Sequence, residues 1–170
     1  NLPYTEHARR YLLAEGLKPE MVIKTGSPML EVLKHYEPLV RRSTVLRRLK
    51  LSPGGYFVVS AHREENVDSR ENLQQVLRCL ERLHDEFHHP VVVSTHPRTR
   101  NRLEQAGLRA EGRDIRFLKP FGFLDYNKLQ MNAFCAVSDS GTISEESAIL
   151  DFPAVTIRKS IERPEALDCG

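Results

Sequence analysis

The residues best placed to do chemistry crowd into one stretch, Val137-Ser138-Asp139-Ser140-Gly141-Thr142-Ile143-Ser144-Glu145-Glu146. Cys135, Ala136 and Val137 continue an apolar run of the kind a buried strand needs, and a helix-compatible segment from Ile143 to Leu150 follows the polar turn. Thr142 with Glu145 three positions later has the form of a capping box, so the helix is expected to start there with its first N–H groups directed back at Ser140 and Gly141. Free amides, the positive end of the helix dipole, a glycine that admits close approach and the Ser140 hydroxyl together suit a phosphate. A carboxylate is repelled by phosphate, so the neighbouring glutamates suit neutral hydroxyls instead, such as those of a ribose. Phosphate and ribose together are a nucleotide. The same residues also fit a plain capped helix whose first-turn glutamates complement the dipole.

Two further polar segments follow apolar runs. His62-Arg63-Glu64 comes after Tyr56–Ser60, and His96-Pro97-Arg98 after Pro90–Ser94. A histidine and an arginine suit a pyrophosphate or a departing phosphate oxygen, and equally a local ion pair with Glu64 or Glu65. His84 and His88 lie one helical turn apart beside His89, but the carboxylate of the usual motif is displaced and the cluster falls at a helix end, where cationic side chains complement the dipole, so no metal site is expected. Ser140 is a poor hydrolase nucleophile, because the glycine that a nucleophile elbow needs two residues earlier is Ser138.

The elements that must position these residues alternate. Helices are expected over Glu6–Ala14, capped by Thr5 and stopped at Gly16, over Met29–Tyr36, and over a basic stretch from Pro38 to Leu49. In the basic helix Leu39, Val40, Leu46 and Leu49 should face inward and Arg41, Arg42, Arg47, Arg48 and Lys50 outward. Further helices are expected over Ser69–Phe87, with Leu73, Val76, Leu77, Leu80, Leu83 and Phe87 at helical spacing, and over Thr99–Ala106 and Phe123–Asn132. Strands are expected at Met21–Lys24, Tyr56–Ser60, Pro90–Ser94, Ile115–Leu118, Cys135–Val137 and Ala154–Ile157. This alternation predicts a parallel, doubly wound sheet with helices on both faces, and ligands in such folds bind beyond the carboxyl ends of the strands.

Composition narrows the class. The 170 residues are 40% hydrophobic and 28% charged, which suits one globular domain and leaves no run long enough to span a bilayer or serve as a signal peptide. A formal charge of +2 with scattered arginines gives no footprint for nucleic acid. Cys79, Cys135 and Cys169 are odd in number and far apart, pointing to buried thiols in a reducing cytoplasm. Opening at Asn1 without methionine and stopping at Cys169-Gly170, the chain reads as a piece of a longer protein.

Four segments in fixed order carry a resemblance: Thr25-Gly26-Ser27-Pro28, then Ser60-Ala61-His62-Arg63-Glu64-Glu65-Asn66-Val67, then Ser138 to Ser147, then Ile161-Glu162-Arg163-Pro164-Glu165. Together they resemble the non-hydrolysing UDP-N-acetylglucosamine 2-epimerase family along essentially the whole chain. The histidine segment is most similar to the branch acting on UDP-linked 2-acetamido-2,6-dideoxy sugars of the L-fucosamine pathway, in capsule and O-antigen synthesis. The resemblance implies one Rossmann-like half of a glycosyltransferase-B-type fold, the C-terminal nucleotide-binding domain, with the N-terminal domain and the last C-terminal segment absent. It implies that Ser140, Gly141 and Thr142 hold the pyrophosphate, Glu146 the ribose hydroxyls, and the Tyr126 region the uracil. It places catalytic His62, with Arg63, by the phosphates and reacting sugar, and Arg163 by the diphosphate. Epimerisation at C2 proceeds in the family by eliminating UDP and adding it back, with no cofactor and no metal, and the full-length enzyme is expected to be a homodimer. Because catalytic acids come largely from the N-terminal domain, the chain alone is expected not to turn over. Two rivals share the architecture: a glycosyltransferase donor domain, which needs an acceptor, and a binding module without chemistry.

Overall fold

The computed structural model describes residues 1–62, 69–107 and 113–158. Helix α1 spans Glu6–Ala14, and its first turn is held by the Thr5 hydroxyl, which accepts from the Ala8 amide at 3.2 Å. A short 3-10 turn at Pro19–Met21 leads to α2 (Met29–Arg42) and α3 (Val45–Leu49). The sheet segment then runs β1 (Phe57–Ser60), α4 (Arg70–Phe87), β2 (Val91–Ser94), α5 (Pro97–Ala106), β3 (Ile115–Leu118), α6 (Phe123–Asn132), β4 (Cys135–Ser138), α7 (Ile143–Leu150) and β5 (Ala154–Thr156).

The five strands are parallel, in the order β3-β2-β1-β4-β5. The central strands are apolar throughout because helices cover both faces, and the two-residue side-chain period sorts them cleanly. Val58, Val92 and Ala136 pack with Val45, Tyr56, Leu129, Ile143 and Phe152 on one face. Phe57, Val59, Val91, Val93 and Val137 pack with Leu80 of α4 on the other. Ser69 caps α4 by accepting from the Asn72 amide at 3.0 Å.

Four expectations are corrected. Met21–Lys24 is not a strand; the amides of Ile23 and of the following Thr25 instead donate to the Asn1 and Pro3 carbonyls, a pairing invisible to local sequence. Pro38 does not separate two helices but lies inside α2. Lys34 loses a helical donor there, yet the helix continues because Leu33 before the proline and Val40 after it are each 2% exposed and anchor both halves on the core. Leu39, expected inward, is exposed. Cys79 is exposed, while Cys135 is half-buried with its thiol pushed up by burial, and Cys169 lies outside the described residues. The basic stretch does stay wet, with Arg41 paired to Glu37 and Arg48 to Asp125.

The carboxyl end of α6 is tied to the start of β1. Tyr56, fully buried, donates its hydroxyl to the Leu129 carbonyl at 2.7 Å, and the Gly54 amide donates to the Asn132 carbonyl at 2.8 Å. Both carbonyls belong to the last turn, which has no helical donors of its own. Tyr56→Phe should therefore cost about 1–3 kcal/mol in urea unfolding, since it strands a buried carbonyl. Burial raises the Tyr56 phenol above its ordinary range, so its contribution is whole below about pH 10 and is lost as pH rises and the unfolded chain ionises first. The variant should lose stability less steeply above that pH than the parent, and an equally steep alkaline decline would exclude this role.

Candidate functional site

The sheet order reverses between β1 and β4, and at such a switch point the loops leaving the two strands part and open a crevice. Ser60 and Ser138 are paired at the ends of these strands, and the Asp139 amide donates to the Ser60 carbonyl at 3.1 Å, so both loops leave the sheet level with each other. Asp139 is fully buried, and its carboxylate reaches across to the other loop. One oxygen accepts from the His62 amide at 2.9 Å, and the other lies 3.0 Å from His62 Nδ1. The buried carboxylate thus holds the half-exposed imidazole at the end of β1 through its backbone amide and by proximity to Nδ1.

On the β4 side the polar turn forms a chain of hydroxyls. The Ser140 amide donates to Ser138 Oγ at 3.1 Å, and the Thr142 amide to Ser140 Oγ at 3.3 Å. Thr142 donates its hydroxyl to Glu146 Oε1 at 2.6 Å. Its single proton being spent, Ser140 is the donor in the 3.0 Å contact between the two hydroxyls. A phosphate that uses the Ser140 proton has to turn it away from Thr142. The second Glu146 oxygen accepts from Gln130 Nε2 at 2.8 Å. Glu145 accepts from Ser27 Oγ at 2.9 Å, which brings the Thr25-Gly26-Ser27-Pro28 loop against the start of α7.

The structure thus brings His62, Ser140, Gly141, Thr142 and Glu146 to one edge of the sheet. Thr142 does stand at the cap of α7, but the capping box does not form: its hydroxyl serves Glu146, a charged and therefore stronger acceptor, and Glu145 serves Ser27. Tyr126 packs on the core below the site, and burial pushes its phenol up to about 12, against a smaller opposing effect of the Ser60 and Ser138 hydroxyls. Arg63 and Arg163 lie outside the described residues, as do Glu64, Glu65 and Asn66. His96 falls just before α5, which Pro97 opens. Among the described residues no group of three or more metal-ligating side chains is placed to hold a metal ion, and His84 Nδ1 sits 2.9 Å from the His89 carbonyl. Two residues that sequence reasoning missed are Asp139 and Gln130, both buried polar side chains facing a site residue. For Asp139 the signal was its place directly after a buried strand; for Gln130 no local signal exists.

Known proteins carry the same fold. The family model for UDP-N-acetylglucosamine 2-epimerase matches residues 1–170. A UDP-N-acetylglucosamine 2-epimerase of Methanocaldococcus jannaschii is 29% identical over 98% of this chain and 47% of its own length. The structure of a UDP-N-acetylglucosamine 2-epimerase from Rickettsia bellii is 50% identical with a TM-score of 0.88, covering 99% of this chain and 44% of that one. The M. jannaschii enzyme, solved in complex with UDP-GlcNAc and UDP, superposes with a TM-score of 0.88 at 28% identity, over 98% of this chain and 47% of its own. The chain therefore spans about half the length of the relatives it matches. By the match along its whole length, this chain belongs to the UDP-N-acetylglucosamine 2-epimerase family.

Proposed function

We propose that the chain is the nucleotide-sugar-binding half of a cytoplasmic, homodimeric UDP-N-acetylhexosamine 2-epimerase that serves capsule or O-antigen precursor synthesis. The observation that carries this reading is the meeting of His62, the Ser140–Thr142 turn and Glu146 where the sheet order reverses. No hydrogen bond from the Gly141, Ile143 or Ser144 amides falls among the described residues, so these donors remain for a diphosphate at the α7 terminus. Glu146, half-buried and unsuited to phosphate, takes the ribose, and the Tyr126 end of α6 flanks the uracil.

In this reading the sugar C2 gives up its proton while the C1–oxygen bond breaks and UDP leaves with the electron pair. The steps reverse with the proton returned to the opposite face, so no net oxidation or reduction occurs. UDP departs as an anion, and its developing charge is met by the α7 amides and by His62, with Arg63 and Arg163 as the cations. Asp139 is a positioning residue here, holding His62 at the ligand edge. The acid and base at C2 come from the other half of the full-length protein, so the 170-residue chain alone binds UDP but does not turn over; steady epimerisation by it would refute that division of labour.

Titrating UDP into the chain and following backbone amide NMR shifts tests the site. Shifts are expected at Ser140 to Thr142, with affinity about 10- to 100-fold weaker in Glu146→Ala. Saturation without movement there would reduce the motif to a capped helix. In the full-length protein His62→Ala should lower kcat by about 10²–10⁴-fold. Asp139→Asn should lower it less, with KM little changed, and a loss confined to KM would remove His62 from the chemistry.

A further inference from the structure

Gln130 is out of place on physical grounds. It is 1% exposed, on α6 beside buried Leu129, and its buried Oε1 has no hydrogen-bond partner among the described residues. A methionine or leucine would fill the volume without desolvating half an amide, so stability does not account for it. The one hydrogen bond of its side chain among the described residues is Nε2 to Glu146 Oε2 at 2.8 Å. The amide cannot be reversed, because Oε1 would then face a carboxylate oxygen with no proton between them.

Glu146 is therefore gripped from two sides, by the Thr142 hydroxyl on Oε1 and by the Gln130 amide on Oε2. Each carboxylate oxygen offers about two acceptor positions. Among the described residues one on each is taken and one on each remains. That is the demand of a vicinal diol, which presents two O–H donors side by side, and the carboxylate plane is fixed before the diol arrives.

We propose that Gln130 is a positioning and specificity residue that, with Thr142, presets Glu146 to read both hydroxyls of the ribose and so to prefer ribonucleoside over 2′-deoxyribonucleoside diphosphates. This rests on the assignment of Glu146 to the ribose. Without Gln130 the carboxylate rotates, one oxygen turns to water, and the geometric match to the diol is lost while the diphosphate contacts stay.

The test uses the full-length protein with UDP and 2′-deoxy-UDP as calorimetric probes and thermal melting as the control. The parent should prefer UDP by about tenfold or more. Gln130→Met should melt at the same temperature or higher, bind UDP about tenfold more weakly and keep no more than about a threefold preference. Unchanged affinity and preference in this variant would overturn the proposal. So would a lower melting temperature with equal losses for both nucleotides, which is what a purely structural residue gives. If Glu146→Ala keeps the parental preference, the ribose assignment itself fails and takes the proposal with it; a preference lost in Glu146→Ala but kept in Gln130→Met refutes Gln130 alone.

Discussion

A carboxylate with no solvent exposure fixes the geometry of the whole ligand edge. Asp139 sits on the β4 loop, yet both its oxygens lie against His62 on the β1 loop, and its amide is bound to the last residue of β1. Separating the loops takes from this buried carboxylate its hydrogen bond from the His62 amide, and an unpaired buried charge costs several kcal/mol. The imidazole, the hydroxyl chain and the α7 amides derive their relative positions from this one contact and from the β1–β4 pairing beneath it.

The site is built from side chains that restrain one another. Ser140, Thr142 and Glu146 form a directional series of donors ending on a carboxylate, and Gln130 closes it from α6. Such an arrangement lowers the ordering cost of binding, because few rotamers remain to be frozen. It also places two chemistries side by side: amides that make no hydrogen bond among the described residues, suited to an anion, and a carboxylate of fixed orientation, suited to neutral hydroxyls.

Much of this was legible in the sequence, for identifiable reasons. Thr5 with Gly16 delimits α1, the leucine spacing from Leu73 to Leu83 marks α4, and apolar runs too short for helices mark the central strands. The alternation of these elements already placed His62 and Ser140 at the same edge. What could not be read depends on distant partners. The 22–25 segment bonds to residues 1–3 instead of forming a strand, and α2 runs through Pro38 because of what Leu33 and Val40 touch. Thr142 abandons the capping box for Glu146, a choice made by geometry four residues away and not by the motif. Asp139 and Gln130 are polar letters that only burial turns into determinants.

The pairing of β1 with β4 bypasses β2 and β3, and the His62–Asp139 contact joins residues 77 apart in the chain. Contacts of this separation form only after a long loop has been closed, so they come late in assembly and are poorly represented in partly folded states. The ligand edge is thus absent from any nascent chain that stops short of β4. Any ligand held at that edge therefore stabilises only molecules whose sheet is complete.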